Sequence, residues 1–197
     1  MPMYEMEDLA DSFALLWPAE DPANSRTYMR HTAMSAIDSF YAFDMTRRTR
    51  TIGIMLVEST GQMHAAVSGW LTQMYNVATF PQVPQADALG NVIRSADLIG
   101  HQLEASDHDQ GQTGRYNACH CEKQLVAKHF FGEPLGKIID IVISREPCGD
   151  CWNFMARLEL VLGLHVNIYV NGELSLHGRD DALLREWLAI FGEVLQV

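Results

Sequence analysis

The 197-residue chain carries 48% hydrophobic and 20% charged residues, enough apolar content for one buried core with an elaboration and no disulfide staples. Its formal net charge of −11 argues against non-specific nucleic-acid binding, which needs basic surface. No run of about 18 or more apolar residues predicts a membrane span, and the acidic start MPMYEMEDLADSF does not read as a secretory signal. The expected setting is therefore intracellular and reducing, with the four cysteines present as thiols or metal ligands.

Residues 5–17 read as a short helix ended by Pro18. Tyr28, Met29, Ala33, Met34, Ile37, Phe40 and Tyr41 fall near helical spacing over 26–46. Residues 26–50 hold Arg26, Arg30, Arg47, Arg48 and Arg50 against only Asp38 and Asp44. Such a basic patch on an acidic chain either holds a phosphate backbone or simply flanks a helix end. Thr51–Glu58 and Gln62–Gly69, separated by Ser59, Thr60 and Gly61, read as a β-hairpin.

Pro81, Pro84 and Gly90 punctuate a loop, Asn91–Ala105 suits a helix, and Ser106–Asn117 is polar and glycine-containing. Residues 119–131 read as a helix with Leu125, Val126 and Phe130 inward. Lys137–Ser144 holds a nearly continuous apolar run, as in a strand buried on both faces. Pro147 stands where a helix can open, and Gly163 is a natural cap after Leu162. His165–Val170 and Glu173–His177 flank Asn171-Gly172, a strong hairpin turn, and a last helix begins at Asp180 and Asp181 and ends near Val194. The expected fold is α/β, a mixed five-stranded sheet with helices packed on it and an antiparallel C-terminal strand pair. Residues 1–50 form an N-terminal helical extension, and 51–197 a catalytic domain with an insertion at about 70–118.

All four cysteines fall in CHCE, residues 119–122, and PCGDC, residues 147–151. A Cys-x-x-Cys pair at a helix start brings two thiolates to one metal ion, and His120 is the obvious third ligand. Three protein ligands leave the fourth position open, as a catalytic zinc requires. Glu122, two residues beyond His120, is placed to move protons. H-x-E with P-C-x-x-C is the pattern of zinc deaminases. On an ideal helix residues two apart point about 200° from each other, so His120 and Glu122 converge only if His120 sits at the unwound helix start. Otherwise Cys119, which shares a face with Glu122, is an alternative ligand. A four-ligand structural zinc site drawing on Cys119 or Cys121 is a further one.

On His120-Cys121-Glu122 and Pro147-Cys148-Gly149-Asp150-Cys151, with a helix and a buried strand between them, the chain resembles the cytidine deaminase-like superfamily over about residues 51–195. The resemblance implies zinc held by His120, Cys148 and Cys151, and a proton shuttle at Glu122. The tight C-terminal hairpin is similar to nucleoside cytidine deaminases and to toxin-type and fungal deaminases. PCGDC is similar to the nucleoside enzymes, and Gln124 to the toxin-type branch, which often acts on nucleic acid. The candidate substrate contacts are Tyr116 (stacking on a base), Asn117 (a sugar), Arg145 (a phosphate), Glu146 beside the metal, and Trp152 as a pocket wall. Each also has an ordinary reading as loop or packing residue. His64, His101, His108, His129, His165 and His177 lack ligand spacing and read as surface or core histidines. The expected activity is conversion of cytosine to uracil in nucleic acid, single-stranded DNA foremost. The alternatives are a free cytidine or deoxycytidine deaminase, favoured by the charge, and a non-catalytic zinc-stabilised interaction module. No membrane partner is expected, and the oligomeric state is open.

Overall fold

A computed structural model of the chain describes residues 22–43, 50–57, 62–69, 85–130, 137–176 and 178–191. The expected helix at 5–17, Arg47, Arg48, the turn at 59–61, Pro81, Pro84 and His177 lie outside the described residues. The elements in chain order are α1 (Pro22–Phe43), β1 (Ile52–Val57), β2 (Gln62–Val67), α2 (Gln85–Ile99), α3 (Arg115–Ala118), α4 (Cys121–Phe130), β3 (Ile138–Ile143), α5 (Gly149–Leu162), β4 (His165–Val170), β5 (Glu173–Leu174) and α6 (Arg179–Phe191).

Five strands form one mixed sheet in the order β2-β1-β3-β4-β5. β1 pairs antiparallel with both β2 and β3, and β3 runs parallel to β4. A parallel pair needs a crossover, and α5 supplies it. Asn171 (φ 52°) and Gly172 (φ 83°) both take left-handed conformations, the geometry of a tight hairpin turn matched to strand twist. That turn pairs Tyr169 with Leu174 and Val170 with Glu173, antiparallel. β5 is shorter than expected: after Leu174 the chain leaves the ladder, with Ser175 still donating its N–H to the Ile168 carbonyl at 2.7 Å.

Period-2 alternation divides the sheet between two cores. Ile139, Ile141 and Ile143 face a core shared with Leu125 and Val126 of α4 and Phe154, Met155 and Leu158 of α5. Ile52, Ile54 and Val142 face the other side, under Ala33 and Ile37 of α1. Asp140, the one polar residue of β3, is buried there and accepts a bond from Asn167 Nδ2 at 2.8 Å. Arg26 approaches Asp140 at 3.9 Å, and the Arg30 guanidinium lies 4.5 Å over the Tyr169 ring. Two arginines of the basic stretch thus serve the packing of α1 rather than a phosphate surface.

One helix is longer at its start than the sequence suggests. α2 begins at Gln85 and runs through Gly90, which is exposed and costs the helix little more than propensity. It ends at Gly100 (φ 68°), where His101 N–H bonds back to the Ala96 carbonyl at 2.8 Å, a left-handed helix end. The residues from 101 onward are therefore loop, not helix. Beneath α4, Gly53 of β1 allows a close approach: a Cβ there would meet Cys121 Sγ and Leu125 Cδ1 at 3.0 Å. No described helix is long and apolar enough to cross a membrane.

Candidate active site

Two helix N-termini meet at one pocket. α4 begins at Cys121, so His120 is its cap residue, and the His120 carbonyl accepts the first helical bond from Gln124 N–H at 3.1 Å. The imidazole therefore leaves from the unwound end of the helix, the one arrangement that lets it share a pocket with Glu122 in the first turn. α5 is built in the same way: Cys148 is its cap (φ −74°, ψ 167°) and Cys151 stands three residues on. Cap and third-residue side chains both face the open helix start, as in a capping box, which is why a C-x-x-C spacing converges. Pro147 sits one residue before the cap, not at the first helical position.

His120 Nδ1 lies 3.3 Å from both Cys148 Sγ and Cys151 Sγ, and the three ligand atoms all fall within 4.8 Å of one another. Such a donor set can hold a metal ion, and thiolate with imidazole is zinc chemistry. Hydrogen bonds from Cys151, and then from His120, hold the Cys148 thiol down to about 4 despite burial, a shift toward the thiolate form that a metal ion needs. Burial pushes the Cys151 thiol up, and metal binding would release its proton. Cys119 and Cys121 stand outside the cluster. Cys119 lines the pocket wall. Cys121 is fully buried, its thiol pushed up by burial and by the Glu122 charge. It stays protonated and donates to Glu122 Oε2 at 3.2 Å, which orients that carboxylate.

The pocket has a volume of about 650 Å³. Glu122, His120 and Cys148 line it together with Arg50, Arg115, Arg145, Glu146, Tyr116 and His108. Glu122 is 2% exposed, while Tyr116, 42% exposed, stands at the mouth with its ring 5.6 Å from His120. Glu146 accepts a bond from Ser175 Oγ at 2.6 Å, which ties the segment just after β5 to the pocket wall. Of the five substrate contacts expected from the sequence, the fold brings Tyr116, Arg145 and Glu146 to the pocket and carries two elsewhere. Asn117 is buried and turned inward, its Nδ2 donating to the Glu104 carbonyl at 3.0 Å. Trp152 packs below α5 against Gly178, among Met155, Val166 and Leu183.

The sequence reading missed the groups behind the cluster. Lys123 is fully buried and donates to Asp150 Oδ2 at 2.5 Å, to the Asn117 carbonyl at 3.0 Å and to Cys151 Sγ at 3.3 Å. Asp150 also takes His101 Nε2 at 3.1 Å and Glu104 N–H at 3.3 Å. Burial alone would push the Lys123 pKa down; the Cys151 sulfur and Asp150 outweigh it, and the pKa is raised. Burial likewise works to raise Asp150, yet His101 and Lys123 bring it down to about 2. A buried charge persists only when paired and bonded in this way. Only the fold reveals this: Cys121–Ala127 are all buried, so α4 has no solvent face over two turns to receive a lysine. Gln124, read as a branch signature, is a strut. Its Nε2 donates to the Cys119 carbonyl at 2.6 Å and to the Val67 carbonyl at 3.3 Å. His108 lies at the pocket rim and not on indifferent surface.

The five-stranded mixed sheet brings a His-Cys-Cys cluster and a glutamate to two adjoining helix starts, as the resemblance to the cytidine deaminase-like superfamily implies. More particularly, residues 65–126 match the family model described as "Single-strand DNA deaminase toxin A, C-terminal". The match runs from the second half of β2 to the first half of α4, including His120 and Glu122, and stops short of Cys148 and Cys151. It agrees with the resemblance to the toxin-type branch. No curated protein matches the chain.

Proposed function

We propose that the protein is a zinc-dependent hydrolase that deaminates cytosine to uracil in single-stranded DNA. The observation that carries this reading is the shared pocket: His120, Cys148 and Cys151 within ligand distance of one another, with Glu122 on the same floor. His120, Cys148 and Cys151 would hold the zinc, which would supply the Lewis acidity that makes hydroxide available near neutral pH. Glu122 takes a proton from the water that attacks C4 and delivers it to N3 of the ring. A second proton then passes to the exocyclic amine, which leaves as ammonia as the C4 carbonyl forms. Cys121 holds the carboxylate of Glu122 in place for these transfers. Lys123 balances charge at Cys151 and, with Asp150, fixes the first turns of α4 and α5 against each other.

A polymeric substrate is favoured by the rim. Arg50, Arg115 and Arg145 line the mouth of one pocket in a chain of net charge −11, a local basic edge suited to phosphates on either side of an unstacked base. Tyr116 offers that base an exposed aromatic face, and Glu146 closes the wall. The family match, whose printed name is that of a single-strand DNA deaminase, points the same way. The net charge of −11 favours the rival reading, a free cytidine deaminase. Residues 51–197 are taken as the catalytic unit, with α1 of the N-terminal extension covering its second face and residues 70–118 as the insertion that reaches the rim.

The test is parallel incubation of zinc-loaded protein with cytidine, single-stranded DNA, double-stranded DNA and RNA, scored for uracil. Conversion in single-stranded DNA is expected; conversion of the free nucleoside alone overturns the polymer assignment. Unchanged conversion after Glu122→Ala overturns the proton shuttle.

A further inference from the structure

The loop between α2 and α3 is polar and lies on the surface, yet its shape is fixed from within. Asp109 is 7% exposed, and its carboxylate takes three backbone N–H groups. Oδ2 accepts from Ser106 at 2.9 Å and Gly114 at 2.8 Å, and Oδ1 accepts from Tyr116 at 2.8 Å. These bonds, that from Tyr116 foremost, hold the carboxyl below its ordinary range. Gln110, next in the chain, sits at φ 52°, a left-handed conformation that a non-glycine residue keeps only where its surroundings impose it. A connector needs none of this.

What the loop presents is His108. Its ring is exposed and stands 5.1 Å from Tyr116, whose ring stands 5.6 Å from His120. Three rings therefore step outward from the ligand cluster to the pocket rim. On the nucleic-acid reading, the inner step, Tyr116, is the stacking face for the target base. The outer step lies where the next base along the strand would pass. Stacking tolerates any base, whereas an imidazole also offers one donor and one acceptor at its edge, and such edge contacts discriminate between bases.

We infer that residues 106–116 form the specificity element of this site: His108, carried on Tyr116, contacts the base adjoining the target cytosine, and Asp109 is the positioning residue that fixes it there. This rests on the nucleic-acid reading above and adds what that reading lacks, the residue that sets sequence context.

The experiment uses a pool of single-stranded DNA oligonucleotides, each with one cytosine and both neighbouring positions randomised, and reads conversion by sequencing. The full-length zinc-loaded protein is compared with His108→Ala and Asp109→Asn, with metal content and thermal melting measured on each. The wild type is expected to favour one neighbouring base, and His108→Ala to reduce the best-to-worst ratio by about tenfold, the scale of one lost edge contact. Asp109→Asn should flatten the same position while metal content stays at the wild-type level. A wild type without neighbour preference overturns the inference, as does a preference that persists within about twofold in both variants. Because His108 is exposed, its variant decides the matter even if Asp109→Asn fails to fold. Conversion of free cytidine with none in any oligonucleotide is a different failure: it removes the polymer reading, and the specificity element with it.

Discussion

The floor and the rim of the pocket are held by opposite means. On the floor, His120, Glu122, Cys148 and Cys151 sit at two helix starts, and the groups behind them are polar, buried and satisfied by one another: Lys123, Asp150 and His101. At the rim, Tyr116 and His108 are exposed, and their loop is held by backbone N–H groups on Asp109. The floor spends its buried polarity on fixing a few atoms where a displacement of an ångström matters. The rim fixes only a loop's path and leaves its side chains in solvent, where they can meet a partner. Floor variants should therefore act on chemistry and stability together, and rim variants on binding and context with the fold intact.

The largest expected effect tests the floor. Removing the metal with a chelator, or replacing Cys148 or Cys151 with Ser, should abolish base conversion, and zinc should restore it only in the chelated wild type. Glu122→Ala should lower the conversion rate by about a hundredfold to ten-thousandfold with metal content retained, measured by uracil yield and metal analysis. Lys123→Met is the next test. It leaves Asp150 and Cys151 buried beside an apolar chain, and should cost ~3–5 kcal/mol in a urea or thermal melt, as the loss of one partner of a buried pair does. A melt unchanged by this substitution would remove the distinction between floor and rim.

Rim effects should be smaller. Arg50→Ala and Arg145→Ala should weaken single-stranded DNA binding, each lowering the slope of log affinity against log salt by ~0.7 if it neutralises one phosphate. Fluorescence anisotropy across a salt series reads this. The smallest effect concerns pH. The Asp109 carboxyl is lowered from an ordinary value of 3.8 by the Tyr116, Ser106 and Gly114 N–H groups. Its contribution to loop order is therefore complete above that value and is lost as pH falls through the lower folded value. Protection of the Gly114 and Tyr116 amides, taken relative to the intrinsic exchange rate at each pH, should fall on acidification into that range, and should be low already in Asp109→Asn.

The sequence disclosed the parts of this molecule in which local pattern decides. The apolar run of β3, the Asn171-Gly172 turn and the two metal motifs are short-range signals, and the mixed sheet with its antiparallel C-terminal pair followed from such signals. It misplaced α2 because Gly90 reads as punctuation, although in an exposed helical position it is only mildly costly, while Gly100 ends the helix by adopting a left-handed conformation. Trp152 and Asn117 adjoin site residues in sequence, but neighbours on a helix point to different sides, and adjacency was a poor guide to the pocket. Lys123, Asp150 and His101 went unread for a different reason. Their meaning is a three-way contact between α4, α5 and the loop after α2, and no single segment encodes it. The convergence of His120 with Glu122 was legible only as a condition, that the histidine precede the first turn, and the cap position meets it.

Gly53 gives the β-sheet a say in the metal shell. The helix that carries His120 at its cap and Glu122 in its first turn rests directly on this strand residue, and a single methyl group there would press on Cys121 and Leu125 at 3.0 Å. Lifted by even a few tenths of an ångström, α4 would carry the imidazole away from two sulfurs anchored on α5. Gly53→Ala would then behave as a ligand variant without touching a ligand: the strand acts as the gauge block against which the coordination distance is set.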